Sequence, residues 1–239
     1  MKKTAFVLGI LGMLLVSSYV VASQQPVPSS PKAKTIVESV TPELTRELDR
    51  KGLELGSPVF IRIFKESKEL EVWLQDDMAY RHFKTYKICR FSGSYGPKQQ
   101  AGDHQSPEGF YKVTPGQLNP NSNYHLAFNL GYPNDYDRQF GRTGGSLMIH
   151  GNCGSRGCYA MTDERIEEIY ALTEAALRNG QRYVPVHAFP FKLTDYKLAR
   201  HKDSQWLSFW KNLKQGYDYF EQFRRPPIVF AGEREYVIY

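Results

Sequence analysis

His150-Gly151-Asn152-Cys153-Gly154-Ser155-Arg156-Gly157-Cys158-Tyr159 places an imidazole and a thiol on one short, glycine-rich loop. A thiol becomes a competent nucleophile when a neighbouring base or positive field favours the thiolate, and a neutral imidazole within reach supplies such a base. Cys158 is therefore the candidate nucleophile and His150 its candidate base. Glycines at 151, 154 and 157 are expected to permit positive φ and close backbone approach. The N–H groups of Gly157, Cys158 and Tyr159 would then face a developing oxyanion. Ser155 reads as a hydroxyl that braces the loop, and Arg156 as a cation for the thiolate or for a substrate carboxylate.

The flanks supply the frame. Ser146-Leu147-Met148-Ile149 reads as a buried strand that delivers His150. Thr162-Asp163-Glu164 reads as the cap of a helix with apolar residues at 166, 169, 170, 176 and 177 on one face, stopped by Asn179-Gly180. Upstream, Val59, Ile61 and Ile63 alternate with Phe60, Arg62 and Phe64; Leu70 to Leu74 repeats the alternation, and a further strand is expected over 83–91. Residues 114–145, dominated by Asn, Gly, Pro, Tyr and Asp, form a connection long enough to be functional, and we expect one wall of a substrate cleft there. Residues 182–189 predict another strand. Residues 194–225 predict one or two amphipathic helices, with Trp206, Phe209, Trp210 and Leu213 at core spacing, and 228–239 a terminal hairpin turning at Gly232-Glu233. Residues 23–40, rich in Pro, Ser and Gln, read as a linker. Thr41-Pro42-Glu43 reads as the start of a helix that Gly52 stops. The fold class is α+β, mostly β. The expected units are an export signal at 1–22, linker and helix at 23–56, a catalytic domain at 57–190 and a helical extension at 191–239.

The 239 residues, 41% hydrophobic and 23% charged, suffice for one good core and exclude a disordered chain. Met1-Lys2-Lys3, the apolar run from Ala5 to Val16 and the small-residue ending Val20-Val21-Ala22 have the three parts of a secretory signal, with cleavage expected after Ala22. An uncleaved anchor is the competing reading, and the apolar run is short for it. Loss of residues 1–22 removes Lys2 and Lys3 and no acid, so the formal charge falls from +6 to +4. That excess suits an anionic polymer and is too weak to argue for nucleic acid. Export means an oxidising compartment. With Cys158 as nucleophile, Cys89 and Cys153 either pair or stay free, since spacing fixes no Cα separation. A bridge between Cys153 and Cys158 would silence the site.

Ile149-His150-Gly151 followed by Ser155-Arg156-Gly157-Cys158 resembles the HG…S-x-G-C signature of the L,D-transpeptidase (YkuD-type) catalytic domain. Ser106-Pro107-Glu108-Gly109-Phe110-Tyr111 is similar to the T/S-P-x-G-x-F segment upstream in that domain, and the order along the chain agrees. Only seven residues separate His150 from Cys158, fewer than in most of the family, and with Cys153 in the loop this looks like the YafK-type branch. The resemblance implies a β-sandwich or barrel catalytic domain in the periplasm, acting on peptidoglycan stem peptides. It implies a thioester on Cys158 to the L-centre carbonyl of meso-diaminopimelate, with the Gly151 carbonyl orienting the imidazole. In the short-loop branch it implies hydrolysis of the amide that joins a lipoprotein to the wall. Cross-linking or protein attachment by transpeptidation, and carboxypeptidase trimming, are the alternatives. No cofactor, metal, nucleic acid or mature membrane span is implied.

Three other readings stay open on sequence. His187 follows Cys158 in the chain order of papain-like peptidases. His150, Cys153 and Cys158, with His187 or His125, could be zinc ligands, although no C-x-x-C knuckle is present. A non-catalytic wall-binding module is the third. Asp103 and Glu108 flank the Pro-Gly turn, where either serves the turn or meets the amine of diaminopimelate.

Overall fold

A computed structural model describes residues 26–239; the export-signal reading of residues 1–22 lies outside the described residues. A five-stranded sheet in the order β3-β2-β1-β9-β4 forms the centre. It is built from β1 (Val59–Phe64), β2 (Glu69–Asp76), β3 (Ala79–Lys87), β4 (Gly109–Val113) and β9 (Val184–Phe189), with β1 and β9 parallel and the other neighbours antiparallel. A four-stranded sheet, β5 (Leu118–Asn119), β6 (Ala127–Asn129), β7 (Met148–His150) and β8 (Tyr159–Ala160), carries the loop of interest. A hairpin of β10 (Val229–Ala231) and β11 (Tyr236–Ile238) closes the chain. The helices are α1 (Pro31–Asp49), α2 (Asp135–Gln139), α3 (Asp163–Arg178), α4 (Asp195–Arg200) and α5 (Leu207–Phe223).

Strand β1 shows why the alternation at 59–64 matters. All six of its residues are buried. Val59, Ile61 and Ile63 enter a core shared with α1, α3 and the smaller sheet. The opposite face meets α5: Phe60 packs on Phe220, Phe64 lies 6.4 Å from the Tyr217 ring, and Arg62 pairs with Glu71 (2.7 Å) and Glu221 (2.6 Å). A strand with two buried faces needs a layer on each side, and α5 supplies the second layer.

Two expectations about boundaries change. The first helix begins at Pro31, so residues 31–40 are helix and not linker. Ser30 is the N-cap, accepting from the Ala33 N–H (3.1 Å) while donating to Pro120 O (3.0 Å). Thr41 is interior; its hydroxyl donates to Val37 O (2.6 Å), and Pro42 is tolerated because Ala33, Leu44 and Leu48 bury one face of the helix. Strand β3 begins at Ala79, so Phe83 lies in its middle. The stretch 114–145 is structured, with β5, β6 and α2 inside it.

Glu108 and Lys65 form a fully buried ion pair (2.9 Å) between the corner before β4 and the end of β1. Glu108 also accepts from the Gly96 N–H (2.8 Å) and the Trp210 indole (2.9 Å), and Lys65 donates to Gly96 O and Ser94 O. Burial pulls the Lys65 ammonium below its ordinary range, and the Glu108 carboxylate opposes that pull. Glu108 is thus spoken for, which removes it as a partner for a substrate amine. Asp103 is likewise engaged, by Lys98 and by the N–H groups of Gln99, Gln100 and Gln105. Removing one member of a buried, hydrogen-bonded pair leaves a bare charge, at a cost of about 3–5 kcal/mol. Glu108→Ala should lose about that much in urea unfolding, and a loss below about 1 kcal/mol would show that the pair is dispensable.

Candidate active site

The parallel pairing of β7 with β8 sets the geometry. Ile149 pairs with Tyr159 and His150 with Ala160, so Cys158, just before β8, lies opposite Met148. Side chains alternate along a strand, so Ile149 and Tyr159 point together into the core while Met148, His150, Cys158 and Ala160 share the other face. His150 and Cys158 are diagonal neighbours on that face, a separation that a long side chain spans.

Sulfur and imidazole are held separately in this conformation. Cys158 Sγ accepts from the Met148 N–H (3.4 Å) and donates to Ser146 O (3.8 Å). His150 is buried, and its Nδ1 lies 2.5 Å from Gly151 O. A carbonyl only accepts, so Nδ1 carries the proton of the neutral ring and Nε2 is left as a free base. The Tyr124 ring covers the imidazole at 4.7 Å. Burial pushes the Cys158 thiol above its ordinary value, against smaller opposing pulls from the Met148 N–H and Lys98. Burial also lowers the His150 pKa, with Gly151 O opposing. The resting site is a neutral thiol beside a neutral imidazole, a pair suited to general-base activation rather than a preformed ion pair.

Three serines brace the loop. Ser155 Oγ (2.7 Å) and Ser106 Oγ (3.1 Å) both donate to the Cys158 carbonyl. The single Ser155 hydroxyl proton is thereby committed, so Ser92 is the donor in its 2.7 Å contact with Ser155. The Gly157 N–H is directed at Ser92 Oγ (3.0 Å) and Ser155 Oγ (3.3 Å), so it is occupied and not free for an oxyanion. Among the described residues, the Cys158 N–H has no hydrogen-bond partner. Tyr159 lies in the β7–β8 ladder with its hydroxyl on Pro107 O (2.6 Å), deep in the core. Arg156 is exposed, with no ion-pair partner among the described residues. Gly157 has φ +119°, whereas Gly151 is required by closeness: a Cβ there would lie 2.6 Å from Asp163 Oδ1 and 2.8 Å from Tyr124 O. Gly154 needs neither, having open space and no positive φ, and besides Gly157 the positive-φ residue of the loop is Asn152 (φ 59°).

Cys89 and Cys153 form a disulfide (Cα–Cα 5.4 Å), tying the loop to the chain beyond β3 and leaving Cys158 as the free thiol. That bond takes Cys153 out of the zinc set. His125 pairs with Glu167 (2.7 Å), and His201 stacks on Phe191. His187 is buried between Phe60 and Phe110, each 4.6 Å away, with Nδ1 lacking a partner, so it is a core residue and not a base for Cys158. The groups around the sulfur that sequence reasoning missed are the Met148 N–H, Ser146 O, Ser92 and the buried cation Lys98. Backbone groups leave no signature in a sequence, Ser92 is placed by contacts with Ser106, Ser155 and Gly157 far along the chain, and Lys98, though held locally by Asp103 and Gln100, lies 60 positions from the sulfur.

The family model of the YkuD L,D-transpeptidase catalytic domain matches residues 58–187. The chain belongs to this L,D-transpeptidase family. It is 50% identical over 184 residues to YafK of Escherichia coli K12, a protein named for the L,D-transpeptidases, covering 77% of this chain and 75% of that one. YafK of E. coli O157:H7 matches equally. Among solved structures, a point variant of the helical cell shape determining protein Pgp2 from Campylobacter jejuni is similar at 23% identity and a TM-score of 0.46; the match covers 80% of this chain and 66% of that one, just under two thirds of its length. No helix among the described residues is long and apolar enough to cross a membrane.

The protonation states make two measurable claims. Iodoacetamide alkylation of resting Cys158 should rise only in the alkaline range, with a midpoint above that of a free cysteine; a midpoint below neutrality would reveal an ion pair instead. His187 has its pKa driven well below the ordinary value by burial, with Arg62 adding to the effect, so its folded form resists protonation. Its contribution to stability is complete above the unfolded pKa of about 6.5 and is lost as pH falls toward the folded value. His187→Phe should therefore flatten stability between pH 7.5 and 5 while leaving turnover intact, and a loss of turnover in a folded variant would restore His187 to the chemistry.

Proposed function

We propose that this protein is a periplasmic, cysteine-dependent peptidoglycan enzyme acting on the L-centre carbonyl of meso-diaminopimelate. The observation that carries this reading is the β7–β8 register, which puts a free thiol and an imidazole with an unprotonated Nε2 on one sheet face. His150 Nε2 takes the Cys158 proton as Sγ attacks the carbonyl, a S–C bond forms, and the tetrahedral oxyanion meets the unpaired Cys158 N–H. Such a donor lowers the barrier by about 3–4 kcal/mol. The imidazolium then protonates the leaving amine as the C–N bond breaks, giving a thioester. Water, deprotonated by the same Nε2, releases the acid and restores the thiol. The Gly151 carbonyl holds the tautomer throughout, and Arg156, exposed and unpaired, is free to meet a substrate carboxylate. The Cys89–Cys153 disulfide supports an oxidising compartment.

Hydrolysis rather than transfer to an amine is favoured by the short loop between His150 and Cys158, shared with the YafK-type branch, and the substrate we assign is the amide joining a lipoprotein to the wall. Sacculi carrying bound lipoprotein, digested after incubation and analysed by mass, distinguish the outcomes. Loss of protein-bearing stems without new dimers is expected; new dimers would mean transpeptidation, and shortened stems trimming. Cys158→Ser should lower turnover by a factor on the order of 10³ or more, and undiminished turnover would refute the thioester route.

A further inference from the structure

A second concave site lies away from Cys158. A cavity of about 740 Å³ runs between the β4 edge of the central sheet and the segment leading into the terminal hairpin. A second chamber of about 510 Å³ adjoins it, sharing Lys112, Asp135, Arg138 and Phe230 as walls. None of the lining residues falls between 140 and 180, so this groove is separate from the sulfur and imidazole. Its volume is that of an ordinary ligand site.

The lining is biased in charge and in shape. Lys112, Arg138, Arg182 and Arg225 face it, against one carboxylate, Asp135, which Arg138 already holds at 2.5 Å. Lys112 and Arg182 have no carboxylate partner among the described residues; Lys112 instead lies 4.9 Å from the Tyr183 ring. Tyr80, Tyr183 and Phe230 supply flat apolar faces, and Phe230 is more than half exposed, meeting the Tyr239 ring edge-on at 6.1 Å. Unpaired cations beside aromatic faces match a ligand that offers carboxylates on a ring-bearing backbone. Two joined chambers open along the surface suit a chain better than a compact metabolite.

We propose that this groove binds the carboxylate-bearing glycan-peptide chain of the cell wall at a second point, holding the polymer while Cys158 works on a stem. The choice of polymer rests on the cell-wall reading above; the groove, its charge and its separation from Cys158 do not. A lipid headgroup layer would also offer anions, but a bilayer meets a convex face, whereas these cations line a recess.

The test uses Cys158→Ser protein, so that turnover does not consume the ligand, in co-sedimentation with purified sacculi. Lys112→Glu/Arg182→Glu, two exposed changes, should weaken binding at least tenfold, and the binding of the parent should fall as salt is raised. In the Cys158-containing background, the same double change should leave acylation by a small soluble stem peptide unaltered, since that substrate does not span the two sites. Equal sedimentation of parent and double variant overturns the proposal. So does capture of the parent by phosphatidylglycerol vesicles that the double variant loses while its binding to sacculi is unchanged. Failure of the stem peptide to acylate unmodified Cys158 would count against the cell-wall chemistry, and sedimentation would still decide the groove.

Discussion

The carboxylate of Glu108, buried with the Lys65 ammonium, fixes the corner on which the loop geometry rests. Two residues earlier in the chain, Ser106 donates to the Cys158 carbonyl, and one residue earlier, Pro107 O receives the Tyr159 hydroxyl. The same carboxylate reaches the Trp210 indole and so draws α5 onto the sheet. One interior charge pair thus connects the end of β1, the corner before β4, the chain around Gly96 and the C-terminal helix. Desolvating these groups is costly, and each carboxylate oxygen has its partner or partners to offset the cost.

Local chemistry was legible in the sequence, and choices made by distant contacts were not. The alternation at 59–64 and the His, Gly and Cys spacing at 150–158 are local patterns, and they located β1 and the candidate site. The first helix reads as starting at Thr41-Pro42, ten residues too late. It starts at Pro31 because Ser30 caps it while also reaching Pro120 O and because Ala33 is buried, facts that no window around residue 31 contains. Gly154 looked necessary beside Gly151 and Gly157, yet the left-handed turn was given to Asn152. The Gly157 N–H, a natural oxyanion donor on paper, is consumed by Ser92, a residue 65 positions away.

The sulfur and imidazole illustrate how burial sets a reaction's starting point. Each group, taken alone, is kept uncharged by its surroundings, so neither depends on the other for its resting protonation state. In the reaction we propose, charge appears only when a proton moves between them as a carbonyl is attacked, so the cost of separating charge is recovered in the transition state.

The bond between Cys89 and Cys153 has a consequence for biosynthesis. Of three thiols emerging in the same chain, two must find each other across 64 residues, while the third, five positions from one of them, has to be passed over. Oxidative maturation is therefore a sorting problem, in which the shortest available link is the one that must not persist. Material made where thiols stay reduced would carry the chemistry of the site without its tether, and the fidelity of pairing, rather than the yield of polypeptide, would set how much of a preparation is active.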